Sequence, residues 1–76
     1  MNTNKNKTLI EIGNNIRSLR LSRNLSQEQL AFEVGLHRTY IGAVERGEKN
    51  ITILNLIKIK NALNVSMSQI YIEREE

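Results

Sequence analysis

Arg38, Thr39, Gly42, Ala43 and Arg46 are spaced so that a helix turning about 100° per residue gathers all five on one arc, opposite Ile41 and Val44. The composition of that arc is unusual for a surface meant only to meet water. Two cations bracket Thr, Gly and Ala, and a glycine inside a helix costs about 1 kcal/mol relative to alanine. A helix that gives up stability in this way gains close approach to something. The major groove of B-DNA, about 12 Å wide, admits one helix when the residues facing its floor are small or reach base edges. Gly42 and Ala43 are small. The Arg38 guanidinium matches guanine O6 and N7, the Thr39 methyl and hydroxyl suit thymine or a polar edge, and Arg46 reaches a phosphate or a base.

Other chemistries find little support. The chain has no cysteine and a single histidine, His37, so no metal site, disulfide or cofactor site is expected. Ser26, Glu28 and His37 are near one another in sequence, but a serine capping a helix is not an activated nucleophile, and no glycine-rich phosphate loop occurs. No enzymatic activity and no small-molecule substrate are expected.

At 76 residues the chain has room for one small core and no large cleft. Its net charge is +3, and the last four residues carry a net −2, leaving 10 basic against 5 acidic side chains over residues 1–72. That excess favours a polyanionic partner. No apolar run approaches the roughly 18 residues of a membrane span, and MNTNKNKT does not resemble a secretion signal, so no membrane association and a cytoplasmic location are expected.

The elements that would position the five residues follow from caps and periodicity. Residues 1–7 read as a flexible arm, 8–72 as the folded domain and 73–76 as an acidic tail. Thr8 and Glu11 fit a capping box opening a first helix, with Leu9, Ile12, Ile16 and Leu19 inward as far as Asn24. Ser26 and Gln29 fit a second box, and Leu30, Ala31 and Val34 form the inward stripe of a two-turn helix stopped by Gly35. A third helix carries Ile41 and Val44 inward and ends at Gly47. Thr52 caps a fourth that runs to about Leu63, and Ser66 with Gln69 opens a short fifth through Met67, Ile70 and Tyr71. The expectation is an all-α, compact five-helix bundle without strands.

With these residues in view, SQEQLAFEVGLHRTYIGAVERGEKN resembles the helix-turn-helix of the Cro and phage-repressor family, with Gln27, Ala31, Gly35, Ile41 and Val44 at its signature positions. The likeness spans roughly residues 9–72, and LHRTYIGAVERGEKN is most similar to the controller proteins of restriction-modification systems. The resemblance implies a lambda-repressor-like fold and base contacts by Arg38 and Thr39; Gly42 and Ala43, on the same arc, are expected to contact bases as well. It implies backbone contacts from Gln27, Arg46, Lys49 and Asn50, with His37 and Tyr40 as further backbone candidates. His37 stands where the family often has Ser or Asp as the helix cap. Arg20 and Glu45 point partly inward on helical wheels, and the resemblance implies that they pair. Related activators use the second helix against the RNA polymerase sigma subunit, which makes Glu28 and Glu33 a candidate contact.

The fourth helix is apolar over more than half of its circumference, wider than one core contact requires. Ile53, Leu56, Ile59 and Leu63 are assigned to the core. Ile51, Leu54, Ile57, Val65, Met67, Ile70 and Tyr71 are left as candidates for a homodimer interface. Two recognition helices one DNA turn apart would read double-stranded operator DNA with inverted-repeat half-sites. The function expected is therefore a homodimeric, autoregulatory transcriptional regulator, which the closer resemblance implies controls a restriction-modification operon as activator or repressor, with a phage-type repressor or antitoxin as the alternative within DNA binding. A protein-protein interaction module is the alternative of another class.

Overall fold

A computed structural model of the protein describes residues 6–73. Four helices occupy this span: α1, Lys7–Ser22; α2, Gln27–Val34; α3, Arg38–Glu45; and α4, Ile53–Leu63. A single 3-10 turn, Met67–Gln69, follows. No strand occurs among the described residues, and none of the helices there is long and apolar enough to cross a membrane.

Helix α1 starts earlier than the Thr8/Glu11 box suggests. The Asn6 side chain accepts hydrogen bonds from the backbone N–H groups of Thr8 at 2.8 Å and Leu9 at 3.2 Å. Asparagine is a strong cap, so Lys7 and Thr8 are drawn into the first turn and the arm loses its last two residues. Residues 1–5 of that arm, and Arg74 to Glu76 of the acidic tail, lie outside the described residues.

The Ser26/Gln29 box is formed, with Gln29 N–H on the Ser26 hydroxyl at 2.9 Å and Ser26 N–H on Gln29 Oε1 at 2.7 Å. Gly35, at φ +75°, takes the left-handed conformation that turns the chain from α2 into α3. Thr52 caps α4 through Asn55 N–H, and Asn64 closes it at φ 58°.

The core is Ile12 and Ile16 of α1, Leu30 and Ala31 of α2, Ile41 and Val44 of α3, and Leu56, Ile59 and Leu63 of α4, sealed by Ile70. Helix α3 packs on both α1 and α2. The α1–α3 approach is set by Gly13, where a Cβ would collide with the Val44 carbonyl oxygen and lie 2.7 Å from that of Glu45.

Three expectations for the C-terminal third are corrected. The fifth helix is only the one 3-10 turn, because the backbone bends to lay Ile70 on the core: its side chain is fully buried and its carbonyl accepts Asn15 Nδ2 at 2.7 Å. Ile70 is therefore a core residue and not part of a partner surface. Ile53, assigned to the core, is instead 63% exposed. It neighbours Ile57, four residues on, and these two with the 69% exposed Leu54 make the exposed apolar part of α4. Ile72 is exposed as well, and Ile51, Val65, Met67 and Tyr71 are half-buried against the core.

Candidate nucleic-acid interface

Buried Ile41 and Val44 fix the rotation of α3, and that rotation leaves Arg38, Thr39 and Arg46 exposed with Ala43 half-buried. Gly42 departs from expectation. It is buried, because the side chains of Gln27 and Arg46 lie across it. A Cβ at this position would stand 3.1 Å from Arg46 Nη1 and 3.3 Å from Gln27 Oε1. Gly42 thus gives room to two polar side chains and does not itself face outward.

Gln27 is held there by Glu45. Its Nε2 donates to Glu45 Oε1 at 3.0 Å, and the same carboxylate receives Arg20 Nε at 2.6 Å and Nη2 at 3.0 Å. Arg20 also donates from Nη1 to the Leu25 carbonyl at 2.6 Å, which ties the end of the α1–α2 loop to the same group. Both charged partners are buried, at 6% and 4% exposure. One two-pronged ion pair therefore joins α1, the loop before α2, and α3, and it carries Gln27 on its outer side.

Gln27, Arg38, Thr39, Gly42 and Arg46 together line an open depression of about 260 Å³. It is smaller than the roughly 300–1,000 Å³ usual for a small-molecule pocket, and four of its five lining residues carry polar side chains. Its side chains come from α3 and its C-terminal end and from Gln27 at the start of α2, and it is open to solvent, a form that an extended anionic surface can cover.

The rim continues past the end of α3. Gly47, at φ +75°, turns the chain; a Cβ there would meet the Ile10 backbone at 2.9 Å. Arg46 Nε pairs with Glu48 Oε1 at 3.0 Å on the exposed surface. Lys49 Nζ stands 5.7 Å from the centre of the half-buried Tyr40 ring, and Asn50 is exposed. Asn55 Nδ2 donates to Tyr40 Oη at 3.1 Å, so the phenol has its own proton left to give. His37 caps α3, its Nδ1 accepting Thr39 N–H at 3.1 Å. Among the described residues, no group of three His, Cys, Asp or Glu side chains is placed to hold a metal.

On α2, Glu28 and Glu33 are exposed, and between them Phe32 is 87% exposed. Phe32 was not singled out in the sequence, although the phase of the Leu30, Ala31 and Val34 stripe already turns it outward. Gly13 was passed over too. A glycine between Ile12 and Ile16 on an inward stripe is the same signal of close approach that Gly42 gave.

Comparison with known proteins agrees with this arrangement. A helix-turn-helix family model matches residues 16–70. The chain is 54% identical to the control protein C.SmaI of Serratia marcescens over 59 residues, 78% of this chain and 70% of that one. It is 49% identical to the control protein C.BamHI of Bacillus amyloliquefaciens over 61 residues, 79% of this chain and 75% of that one. Among solved structures, the restriction-modification controller protein C.AhdI from Aeromonas hydrophila superposes with a TM-score of 0.80 at 41% identity, covering 83% of this chain and 96% of that one. The C.Esp1396I controller tetramer, in complex with its natural 35 base-pair operator, gives 0.79 at 35% identity over 87% of each chain. With its capped α2, its glycine turn and its outward α3, the chain belongs to the helix-turn-helix family, in the company of the restriction-modification control proteins.

Proposed function

We propose that the protein is a homodimeric, sequence-specific regulator of transcription that controls a restriction-modification operon by binding inverted-repeat operator DNA through α3. The observation that carries this reading is the exposed α3 surface, on which Arg38 and Thr39 stand clear of the core between Gln27 and Arg46. In this reading Arg38 and Thr39 address bases, with Ala43 beside them. Gln27, His37, Tyr40, Arg46, Lys49 and Asn50 hold phosphates on either side. The N-terminus of α2 adds unpaired N–H groups and the positive end of its dipole next to Gln27.

Dimerisation is assigned to the separate apolar surface of Ile53, Leu54 and Ile57, with Ile72 and the half-buried Ile51, Val65, Met67 and Tyr71 around it. A protomer measures 33 × 28 × 22 Å. Two such bodies related by a two-fold axis match half-site centres about 34 Å apart. The relatives support the operon assignment, since the proteins most similar to this chain include control proteins of restriction-modification systems. For activation, Glu28, Phe32 and Glu33 on α2 are proposed to meet the polymerase sigma subunit.

The test is selection of bound sequences from a random duplex pool, followed by affinity measurements on the selected site. An inverted repeat is expected. Arg38→Ala should lose about 1–3 kcal/mol and relax the preference at one base pair of each half-site. A folded protein that recovers no common sequence at low salt refutes the reading. For the polymerase contact, Glu28→Lys with Glu33→Lys should abolish activation in vitro at full operator occupancy, and unchanged activation rejects it.

A further inference from the structure

His37 has a second bond beyond the helix cap. Its Nδ1 lies 3.1 Å from the Thr39 backbone nitrogen and 2.8 Å from the Thr39 hydroxyl. A backbone N–H only donates, so Nδ1 carries the ring's lone pair and the ring proton sits on Nε2. The hydroxyl facing the same nitrogen must then donate as well. Its proton is used inside the protein, and what Thr39 shows to solvent is a methyl group and the remaining lone pairs of Oγ1.

We propose that His37 is a specificity-determining residue: it fixes the Thr39 hydroxyl as an acceptor and so decides which base edge Thr39 can meet. An acceptor with a methyl beside it suits the exocyclic amino group of adenine or cytosine, or the thymine methyl. It is mismatched with the guanine edge, whose O6 and N7 are both acceptors. The inference rests on the reading of Thr39 as a base-facing residue. It goes beyond that reading in assigning the direction of the hydrogen bond and the residue that imposes it. His37 contributes this without touching a base, and its outward Nε2–H is left to donate to a phosphate.

The experiment measures affinity for the selected operator with each of the four base pairs placed in turn at every half-site position. It compares the native protein with Thr39→Val, His37→Gly and His37→Asn. Thr39→Val identifies the pair that Thr39 reads; if no position changes its preference, the base-facing reading of Thr39 fails and the inference falls with it. Glycine starts helices nearly as well as polar caps, so His37→Gly should fold and bind more weakly, by the loss of the Nε2 phosphate contact, on every sequence alike. Its discrimination against guanine at the Thr39 pair should fall about 2- to 10-fold, the worth of one neutral hydrogen bond. His37→Asn, whose Oδ1 can accept both bonds, should restore that discrimination.

If Thr39→Val shifts the preference at one pair while His37→Gly lowers affinity for all sequences equally, His37 acts only as a helix cap and phosphate contact. The inference is then overturned while the reading of Thr39 stands. A check on the native protein needs no variant. His37 is the chain's only histidine, and its ring ¹⁵N shifts in the free protein at neutral pH should show Nδ1 as the unprotonated nitrogen. A proton on Nδ1 refutes the proposal.

Discussion

Removal of Arg20 should destabilise the fold severely although the residue is buried behind the proposed DNA surface and not on it. In Arg20→Ala the Glu45 carboxylate, its side chain 1% exposed, loses hydrogen bonds of 2.6 and 3.0 Å and keeps only Gln27 Nε2 at 3.0 Å. The Leu25 carbonyl loses its 2.6 Å donor at the same time. Stripping one partner from a buried ion pair costs about 3–5 kcal/mol. A domain of this size holds about 4–11 kcal/mol in total, at 0.05–0.15 kcal/mol per residue. Each kcal/mol is worth about 4–8 °C in a chain of this length, so Tm should fall by at least about 12 °C. Thermal and urea unfolding followed by circular dichroism measure both quantities. Arg20→Met combined with Glu45→Leu should recover much of the loss, because an apolar pair of similar volume leaves no buried charge behind. A single-variant loss under about 1 kcal/mol, or a double variant no more stable than Arg20→Ala, would show that burial of the Glu45 charge is not what makes Arg20 indispensable.

Lys49→Ala should weaken binding to all duplexes alike and lower the slope of log affinity against log salt by about 1, read from titrations at several salt concentrations. Gly13→Ala should destabilise the fold by several °C or prevent folding, because its methyl meets Val44 and Glu45 backbone oxygens within 2.7 Å. Gly42→Ala meets only side-chain ends, of Arg46 and Gln27, at 3.1 and 3.3 Å, so melting should show Tm unchanged or raised by the better helix former while affinity for the operator falls. Leu54→Glu, at a position 69% exposed, should leave the protomer folded and convert the dimer to monomer in sedimentation velocity, with loss of tight binding to the two-half-site operator.

The helices and the outward side of α3 were legible in the chain because both are local properties. A capping residue three positions before its partner, a glycine at a left-handed position and apolar residues at helical spacing act within one or two turns. Ser26, Gly35, Ile41 and Val44 therefore specify α2, the turn and the rotation of α3 with little help from the rest of the molecule. What lay beyond the sequence depends on contacts between segments distant in the chain. Gly42 seemed open on a wheel and is covered by Gln27, fifteen residues earlier, because Glu45 and Arg20 hold that side chain down. Ile53 and Ile70 exchanged places between surface and core. Periodicity marks both as apolar, but only the packing of α1 against the C-terminal turn, through Asn15 and the Ile70 carbonyl, decides which of them the limited core of a small domain encloses. The direction of the Thr39 hydroxyl belongs to the same class: residue types allow it either role, and the position of the His37 ring selects one.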